Sequence, residues 1–322
     1  MNIAVVCYMD AGNTGRHLYM AISRGGRHKV CYADQRKGRY NYIACISNAD
    51  IIWVKGDTIA EISKGRFNLY NQKATQIIQK ASNIPVKPGA RLIQSPGGSS
   101  FRRPIPGYVK SFGYVPLERF INNSSLLAPI TPDLNYPQLE GVWLPHAIDE
   151  KKMSNMWNPG KEFIIGAYLA QNDCKCVNTV LVPAVERLRR KGYKIDLRIT
   201  NGVSIPHNEF MKIISECTIY YDQINPLGVY GRSGVEAMSM GIPTICSISE
   251  KSIKQAEPVQ GYGDPCLKAH DIKGLEAMLE LVYLGKIDLR KVSEESKKYA
   301  RRVHSYESVA KYIDAQVMGR IK

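Results

Sequence analysis

One stretch of the chain, GVYGRSGVEAMSMGIPT at residues 228–244, brings glycines, a cation and a carboxylate together at the start of a predicted helix. Its glycines Gly228, Gly231 and Gly234 let the backbone approach a ligand closely. The amides and the dipole of a helix N-terminus favour a phosphate group there, and Arg232 adds a positive charge. The pattern therefore predicts an anion site. It lacks the G-x-G-x-x-G spacing directly after a strand that is typical of dinucleotide binding.

Glu236 in the same stretch has two interpretations. With Ser233 three residues before it, it matches the S-x-x-E capping box, in which both side chains satisfy the first amides of a helix. Gly241 and Pro243 then mark the end of that helix. Alternatively, the carboxylate accepts hydrogen bonds from a ribose while the amides hold a diphosphate, which suits a nucleotide-sugar. We expect Glu236 to do both in part, so that Glu236→Gln leaves the fold nearly intact and weakens ligand binding.

Segments with strand patterns and segments with helix patterns alternate along the chain. They predict the secondary-structure elements that position this site. The strands predicted in the first half are MNIAVVCYMD, HKVCYAD, ADIIWVKGD, ARLIQSPGG, SLLAPITPD and GVWLPHAID. The pattern then restarts with the predicted strands EFIIGAYLA, YKIDLRIT, CTIYYDQ and PTICS, with helices between them. From DIKGLEAMLELVYLG to its end the chain reads as helical.

The polar segment EKKMSNMWNPGK contains proline and glycine and predicts a domain boundary near residues 149–160. We therefore expect an α/β fold of two doubly wound, Rossmann-like domains, residues 1–150 and 151–322, that face each other across a cleft. Ligands of such sheets bind at the carboxyl edge of the strands. The stretch around Glu236 follows the predicted strand CTIYYDQ, so it is expected to lie at that edge.

The charge of the chain predicts a polyanionic partner. The 322 residues include 44 Lys and Arg against 29 Asp and Glu, a net charge of +15. Such an excess favours nucleic acid, an anionic membrane surface or a phosphorylated substrate. The alternative is that a basic surface only keeps the protein soluble.

The apolar runs and the cysteines indicate the cellular location of the protein. No run approaches the roughly 20 residues that span a bilayer, and no basic segment precedes the first one, so a secretory signal is not expected. The eight cysteines lack zinc-finger spacing and are expected to be reduced thiols. We expect a cytoplasmic protein, and peripheral contact with a membrane stays open.

Written as G-x-Y-G-x-x-x-x-E-A-M-x-x-G-x-P, the stretch resembles the donor-site motif of GT-B glycosyltransferases, glycosyltransferase family 4 in particular. Four further stretches resemble segments of that family and occur in the same order along the chain: GGSSFRRP, LLAPITPDLNY, VWLPHAID and YARRVHSYESVAKY. The resemblance implies that Glu236 contacts the donor ribose and that Tyr230 lies at the donor. It implies that the backbone from Gly231 through Ser233 faces the diphosphate. It also implies that a terminal helix, about residues 295–322, packs back on the N-terminal domain.

The sequence departs from the family pattern at two charged positions. The family has two glutamates eight positions apart, and the earlier position here is Gly228. Some relatives instead carry an Asp-Gln pair upstream, which Asp222 and Gln223 match. The family also places an arginine and a lysine after the first strand of the second domain. Lys175 can supply the lysine if the loop is shifted by one residue relative to the family. The arginine is missing here, and we expect Arg232 to provide the positive charge of that arginine.

Glycosyl transfer passes through an oxocarbenium-like transition state while negative charge grows on the leaving diphosphate. Lys175, Arg232 and the helix N-terminus are expected to offset that charge. No D-x-D motif lies in a suitable loop, so we expect no metal ion in the chemistry and no cofactor besides the nucleotide-sugar substrate.

Residues of the first domain are candidates for the acceptor side. An inverting reaction needs a general base, and Asp10 at the end of the first predicted strand is the candidate, although it could equally cap the following turn. A retaining reaction needs no such base. Asn13, Ser99 and Arg102 lie in loops that could reach the acceptor, or they are ordinary loop residues. His146 is expected to be structural.

Three functions compete at this point. The first is a hexosyltransferase that moves a sugar from a nucleotide-sugar to a saccharide or a membrane-associated acceptor. The second is a DNA glycosyltransferase that acts on hydroxymethylated bases of viral DNA, which the charge of +15 suits. The third is a non-catalytic protein that binds a nucleotide-sugar or a nucleic acid. Donor sugar, base, stereochemistry and oligomeric state stay open.

Overall fold

The chain divides into two compact units in a computed structural model. The structure describes residues 1–7, 14–34, 44–55, 60–63, 66–69, 87–95, 126–128, 141–153, 155–169, 173, 175–201, 205–224, 230–250, 252–254 and 263–321. The N-terminal unit is Met1–Ala147 with Tyr306–Lys322, and the C-terminal unit is Ile148–Ser305. Within the described residues, no helix has the length and apolar character to cross a membrane.

The N-terminal unit is built on a parallel sheet. Its elements are β1 Asn2–Cys7, α1 Thr14–Gly25, β2 Lys29–Asp34, β3 Ile51–Lys55, β4 Ala60–Ser63, β5 Arg66–Leu69, β6 Arg91–Ser95 and β7 Leu126–Leu127. The sheet order is β2-β1-β3-β6-β7, and β4 pairs with β5 in a separate antiparallel hairpin. Strand β1 is a continuous apolar run that is buried from Ile3 to Cys7, as is typical of a parallel sheet covered on both faces. Helix α1 packs Leu18 and Ile22 onto this core.

The C-terminal unit contains a second parallel sheet, in the order β12-β11-β10-β8-β9. Its elements are α2 Glu150–Met153, β8 Ile164–Leu169, α3 Val182–Arg190, β9 Asp196–Asn201, α4 His207–Ser215, β10 Ile219–Gln223, α5 Arg232–Met240, β11 Thr244–Cys246, β12 Leu267–Lys268, α6 Ile272–Tyr283 and α7 Leu289–Tyr299. A π-helical turn, Val177–Leu181, precedes α3. All five residues of β10 are buried in the centre of the sheet. Asp271 and Asp288 cap α6 and α7 by accepting a backbone N–H three residues on.

The last helical segment belongs to the N-terminal unit. Helix α8, Tyr306–Tyr312, packs on α1, and the Tyr306 hydroxyl lies 2.6 Å from Nδ1 of His17. Two residues after the end of α8, Asp314 accepts a hydrogen bond from Nε2 of His28 at 2.9 Å. The chain thus begins and ends in one core, which α8 completes with Val309 and other apolar side chains.

Two parallel sheets with helices confirm the predicted α/β fold of two Rossmann-like domains. The predicted strand GVWLPHAID is wrong, because this segment runs without regular structure until a single bridge between Ile148 and Ser305. The residues Val142, Trp143 and Leu144 are nevertheless buried, which explains an apolar run that forms no strand.

The expectation that all cysteines are reduced is wrong for one pair. Cys31 on β2 and Cys45 form a disulfide, with their Cα atoms 5.6 Å apart, a usual separation for such a bond. The two lie 14 residues apart in sequence, so their approach depends on tertiary structure. The described cysteines outside this disulfide are Cys7, Cys176, Cys217, Cys246 and Cys266.

Candidate functional site

The candidate site lies at the carboxyl edge of the C-terminal sheet, after β8 and β10. Lys175 follows β8, whereas Asp222 and Gln223 end β10, and the first turns of α5 stand over them. The other predicted donor-side residues, Tyr230, Gly231, Arg232, Ser233 and Glu236, are all described. The predicted acceptor-side residues Asp10, Asn13, Ser99 and Arg102 lie outside the described residues.

Asp222 holds the start of α5 through a set of contacts that we call the Asp222 cluster (Lys175, Asp222, Gly231, Ser233). Its Oδ1 accepts hydrogen bonds from Nζ of Lys175 at 2.6 Å and from Oγ of Ser233 at 3.1 Å. Its Oδ2 accepts one from the backbone N–H of Gly231 at 2.5 Å. Nζ of Lys175 also donates to Oγ of Ser233, at 2.5 Å. The Asp222 side chain is fully buried, so both of its oxygens obtain partners from the protein.

This cluster replaces the predicted capping box. Helix α5 begins at Arg232 with Gly231 as its N-cap, and no side chain caps it locally. The Ser233 hydroxyl contacts Asp222 and Lys175, and Glu236 lies in the second turn, so the capping-box interpretation is wrong. The predicted helix end is confirmed, because Gly241 closes α5 with a φ of 85°.

Gly234 is required by the close approach of α5 to the carboxylate beneath it. A Cβ atom added to Gly234 would lie 2.8 Å from Cγ of Asp222, closer than such atoms pack. The glycine that the sequence assigned to ligand approach therefore makes room for Asp222. The Gly231 amide is likewise occupied by Asp222, so its predicted contact with a diphosphate stays a prediction that requires this bond to be exchanged.

Glu236 lies in a second set of contacts, the Glu236 cluster (His207, Arg232, Glu236). Its Oε1 accepts hydrogen bonds from Nε of Arg232 at 2.9 Å and from Nε2 of His207 at 3.1 Å. The Glu236 side chain is 4% exposed, that of Arg232 14%, and that of His207 52%. Within the described part of the chain, no hydrogen bond reaches Oε2 of Glu236.

The Glu236 carboxyl is ionised at neutral pH despite its burial. Burial alone would raise its pKa, but the positive charge of Arg232 and the hydrogen bond from His207 outweigh this effect and lower the pKa to about 2. An ionised carboxylate with one unused oxygen can accept a hydroxyl group, as a ribose would offer. The buried pair adds an expected cost: Glu236→Gln removes the charge that Arg232 pairs with, so we expect the variant to fold with reduced stability.

Tyr230 and Gln223 are placed differently from the other predicted residues. The Tyr230 hydroxyl lies 2.7 Å from that of Tyr299 and 3.2 Å from Nε2 of His304, and its ring meets both rings edge-on. Its side chain thus joins a buried aromatic group, and its contact with a donor stays a prediction. Gln223 is buried opposite Cys246 of β11, and its backbone oxygen accepts from the Ser247 amide.

His207 is the residue of this site that sequence reasoning missed. It begins α4, directly after Pro206, and lies 29 positions before Glu236 in the sequence. No spacing rule connects the two, since they meet only because α4 and α5 lie side by side. The local signal, a histidine at a helix start, is ordinary and does not indicate a site.

No protein-family model and no curated protein sequence matches the chain. Solved structures match along its whole length. HepE of Anabaena in complex with UDP and glucose has a TM-score of 0.59 at 10% identity, with 99% of each chain covered. Sucrose-phosphate synthase of Thermosynechococcus elongatus has a TM-score of 0.61 at 10% identity, again with 99% of each chain covered.

A third structure is an α-glucosyltransferase in complex with UDP and a 13-mer DNA containing a central A:G mismatch. It has a TM-score of 0.59 at 11% identity and covers 99% of each chain. Identities this low show a common fold and nothing finer. The chain therefore has the GT-B fold of these glycosyltransferases, and its placement in family 4 stays a prediction.

Proposed function

We propose that the chain is a glycosyltransferase that binds a nucleotide-sugar in its C-terminal unit and transfers a hexose to an acceptor hydroxyl. One observation carries the proposal: the ionised carboxylate of Glu236 keeps Oε2 without a hydrogen bond from any described residue, at the ligand-binding edge of a parallel sheet. The fold supports it, because HepE was solved in complex with UDP and with UDP-glucose.

In this proposal Glu236 binds the ribose hydroxyls, and Lys175 and Arg232 lie near the leaving diphosphate. Both cations are already paired with carboxylates, Lys175 with Asp222 and Arg232 with Glu236. Their pairing keeps the donor-free site nearly neutral and holds both side chains in place. A diphosphate would then compete with Asp222 for Lys175, and metal-independent transfer would depend on these cations and on amide groups.

The first test is donor binding by Glu236→Gln, measured by titration calorimetry with UDP-sugars and UDP. The substitution removes the charge that ribose hydroxyls would meet, so we expect about 100-fold weaker binding, on the order of 3 kcal/mol. Circular dichroism at the same temperature establishes that the variant is folded. Unchanged donor affinity in a folded but less stable variant would make Glu236 a purely structural residue.

A matched control is Glu216→Gln, which also separates a glutamate from an arginine in the C-terminal unit. Glu216 accepts a hydrogen bond from Nη1 of Arg198 at 2.9 Å, its side chain is about half exposed, and it belongs to neither the Asp222 cluster nor the Glu236 cluster. We expect this variant to bind the donor as the unchanged protein does. Equal losses in both variants would indicate a general effect of removed charge.

For the acceptor, we propose a saccharide or a membrane-associated molecule as the first candidate. The net charge of +15 supports a polyanionic surface such as an anionic membrane. Binding to anionic liposomes without DNA, together with hexose transfer to a lipid or saccharide acceptor, would support it. Failure of all such acceptors with an active donor site would exclude it.

DNA carrying hydroxymethylated bases is the second candidate acceptor. The same charge supports it, and so does a fold shared over 99% of both chains with a glucosyltransferase solved with DNA. The test is nucleotide release from a panel of nucleotide-sugars with hydroxymethylated duplex DNA, followed by mass spectrometry. A hexose-sized mass gain and steeply salt-dependent DNA binding would establish this acceptor. Donor binding without release under every condition would leave a non-catalytic binding protein.

A further inference from the structure

Three side chains of types that bind metal ions lie together beside α5. The proposed glycosyl transfer does not use them. They are Cys246 at the end of β11, Cys266 directly before β12, and Asp264 two residues earlier. Their ligand atoms, two sulfurs and a carboxylate oxygen, all lie within 4.8 Å of one another. Both cysteines are free thiols and are buried, and the Asp264 side chain is only 4% exposed.

The fold holds these three residues in place from two directions. Strands β11 and β12 pair in parallel, with Ile245 opposite Leu267, which brings the start of β12 beside β11. The loop before β12 is closed locally, because Oδ1 of Asp264 accepts the backbone N–H of Cys266 at 3.1 Å. The site is therefore built from a strand end and a short, internally bonded turn.

A fourth, softer donor comes from α5. Sγ of Cys266 lies 3.6 Å from Sδ of Met238, which is fully buried. In a tetrahedral zinc site with sulfur ligands at about 2.3 Å, neighbouring ligand atoms lie about 3.7 Å apart. The spacing between Cys266 and Met238 is already close to this value. The three distances among the ligand atoms of Cys246, Cys266 and Asp264 need to shorten by about 1 Å at most.

We propose that Cys246, Cys266 and Asp264 bind one Zn²⁺ ion, with Met238 as a weak fourth ligand. Two thiols and one carboxylate form the mixed sulfur and oxygen donor set that zinc accepts and that magnesium and calcium do not favour. The site would join α5, β11 and β12, so its role is structural and separate from the proposed glycosyl transfer.

The charges balance when zinc binds. The cation replaces the two thiol protons, which pass to solvent, so Zn²⁺ and two thiolates together are neutral. The negative charge of Asp264 is already compensated by Nζ of Lys268, with which it forms an ion pair. The buried site thus gains no net charge, which avoids the large cost of an uncompensated ion in a protein interior.

The decisive experiment measures zinc in the full chain by inductively coupled plasma mass spectrometry after loading with Zn²⁺ and extensive dialysis. We expect about one ion per chain, and at least a tenfold loss of bound zinc in Cys246→Ser and in Cys266→Ser. Cys217→Ser is the matched control, because Cys217 is also a buried free thiol of the C-terminal unit but has no place in this cluster. It should retain the ion. Zinc in the unchanged protein at or below the level of the two cluster variants would overturn the proposal.

A second measurement keeps the proposal testable if the serine variants do not fold. Co²⁺ is added to the unchanged protein, and thiolate coordination should produce a charge-transfer absorption band in the near ultraviolet. Lys268→Met should weaken Zn²⁺ binding about tenfold, because it removes the partner of a metal ligand. Cobalt binding without the charge-transfer band, or a Cys246–Cys266 disulfide in freshly purified protein, would show that these thiols are not metal ligands.

Discussion

Two buried carboxylates lie at α5, Asp222 beneath its start and Glu236 in its second turn. Each is paired with a cation, but they differ in how many of their oxygens accept hydrogen bonds from the protein. Asp222 receives hydrogen bonds on both oxygens, from Lys175, Ser233 and Gly231. Glu236 receives both of its bonds on Oε1, from Arg232 and from the half-exposed His207. Both oxygens of Asp222 therefore have protein partners, whereas Glu236 has one oxygen without a described partner and lies beside a half-exposed histidine.

The difference separates a structural carboxylate from one that can serve a ligand. A buried acceptor whose bonds are all satisfied gains little from a substrate and loses much when a partner is removed. A carboxylate with an unused oxygen beside a solvent-exposed side chain can accept a hydroxyl at little cost. We therefore expect variants of Asp222 to affect mainly stability and variants of Glu236 to affect donor binding as well.

The largest effect is expected from Asp222→Asn. This variant removes the buried carboxylate charge with which Lys175 pairs, so the free energy of unfolding should fall by about 3–5 kcal/mol in urea denaturation. The double variant Lys175→Met with Asp222→Asn should lose less stability than the sum of the two single variants, because both members of the ion pair are removed together. A loss below about 1 kcal/mol, together with donor binding as weak as in Glu236→Gln, would reverse the two roles.

A second effect is the pH dependence that Glu236 gives to stability. Its pKa is lowered from 4.5 to about 2 on folding, which corresponds to about 3 kcal/mol of stability. Because the folded pKa lies below the unfolded one, this stability is present above pH 4.5 and is lost as the pH falls from there toward 2. Urea denaturation at a series of pH values should show that Glu236→Gln lacks this pH-dependent part. Parallel pH profiles of the two proteins would contradict the ion pair with Arg232.

The smallest effect is expected from His207→Gln. One hydrogen bond to Glu236 is weakened at a half-exposed position, so donor affinity should fall about fivefold, on the order of 1 kcal/mol. Stability should change little, because Arg232 still pairs with the carboxylate. Titration calorimetry with the same nucleotide measures it. A loss as large as that of Glu236→Gln would instead place His207 in direct contact with the donor.

The sequence by itself determined most of the alternation of strands and helices, the fold class and the end of α5. These features depend on local patterns: runs of apolar residues that can only be buried, and Gly241 where the backbone must turn left-handed. The sequence also singled out the stretch around Glu236, because its glycines and charges lie close together along the chain.

Only the tertiary structure decided which partners these residues have. The start of α5 depends on Asp222, nine positions before Gly231, and the second partner of Glu236 is 29 positions away in α4. The same is true of Cys246 and Cys266, which adjacent parallel strands bring together across a long connection. Such contacts leave no periodic trace in the sequence, because they depend on the packing of elements whose order in space differs from their order in the chain.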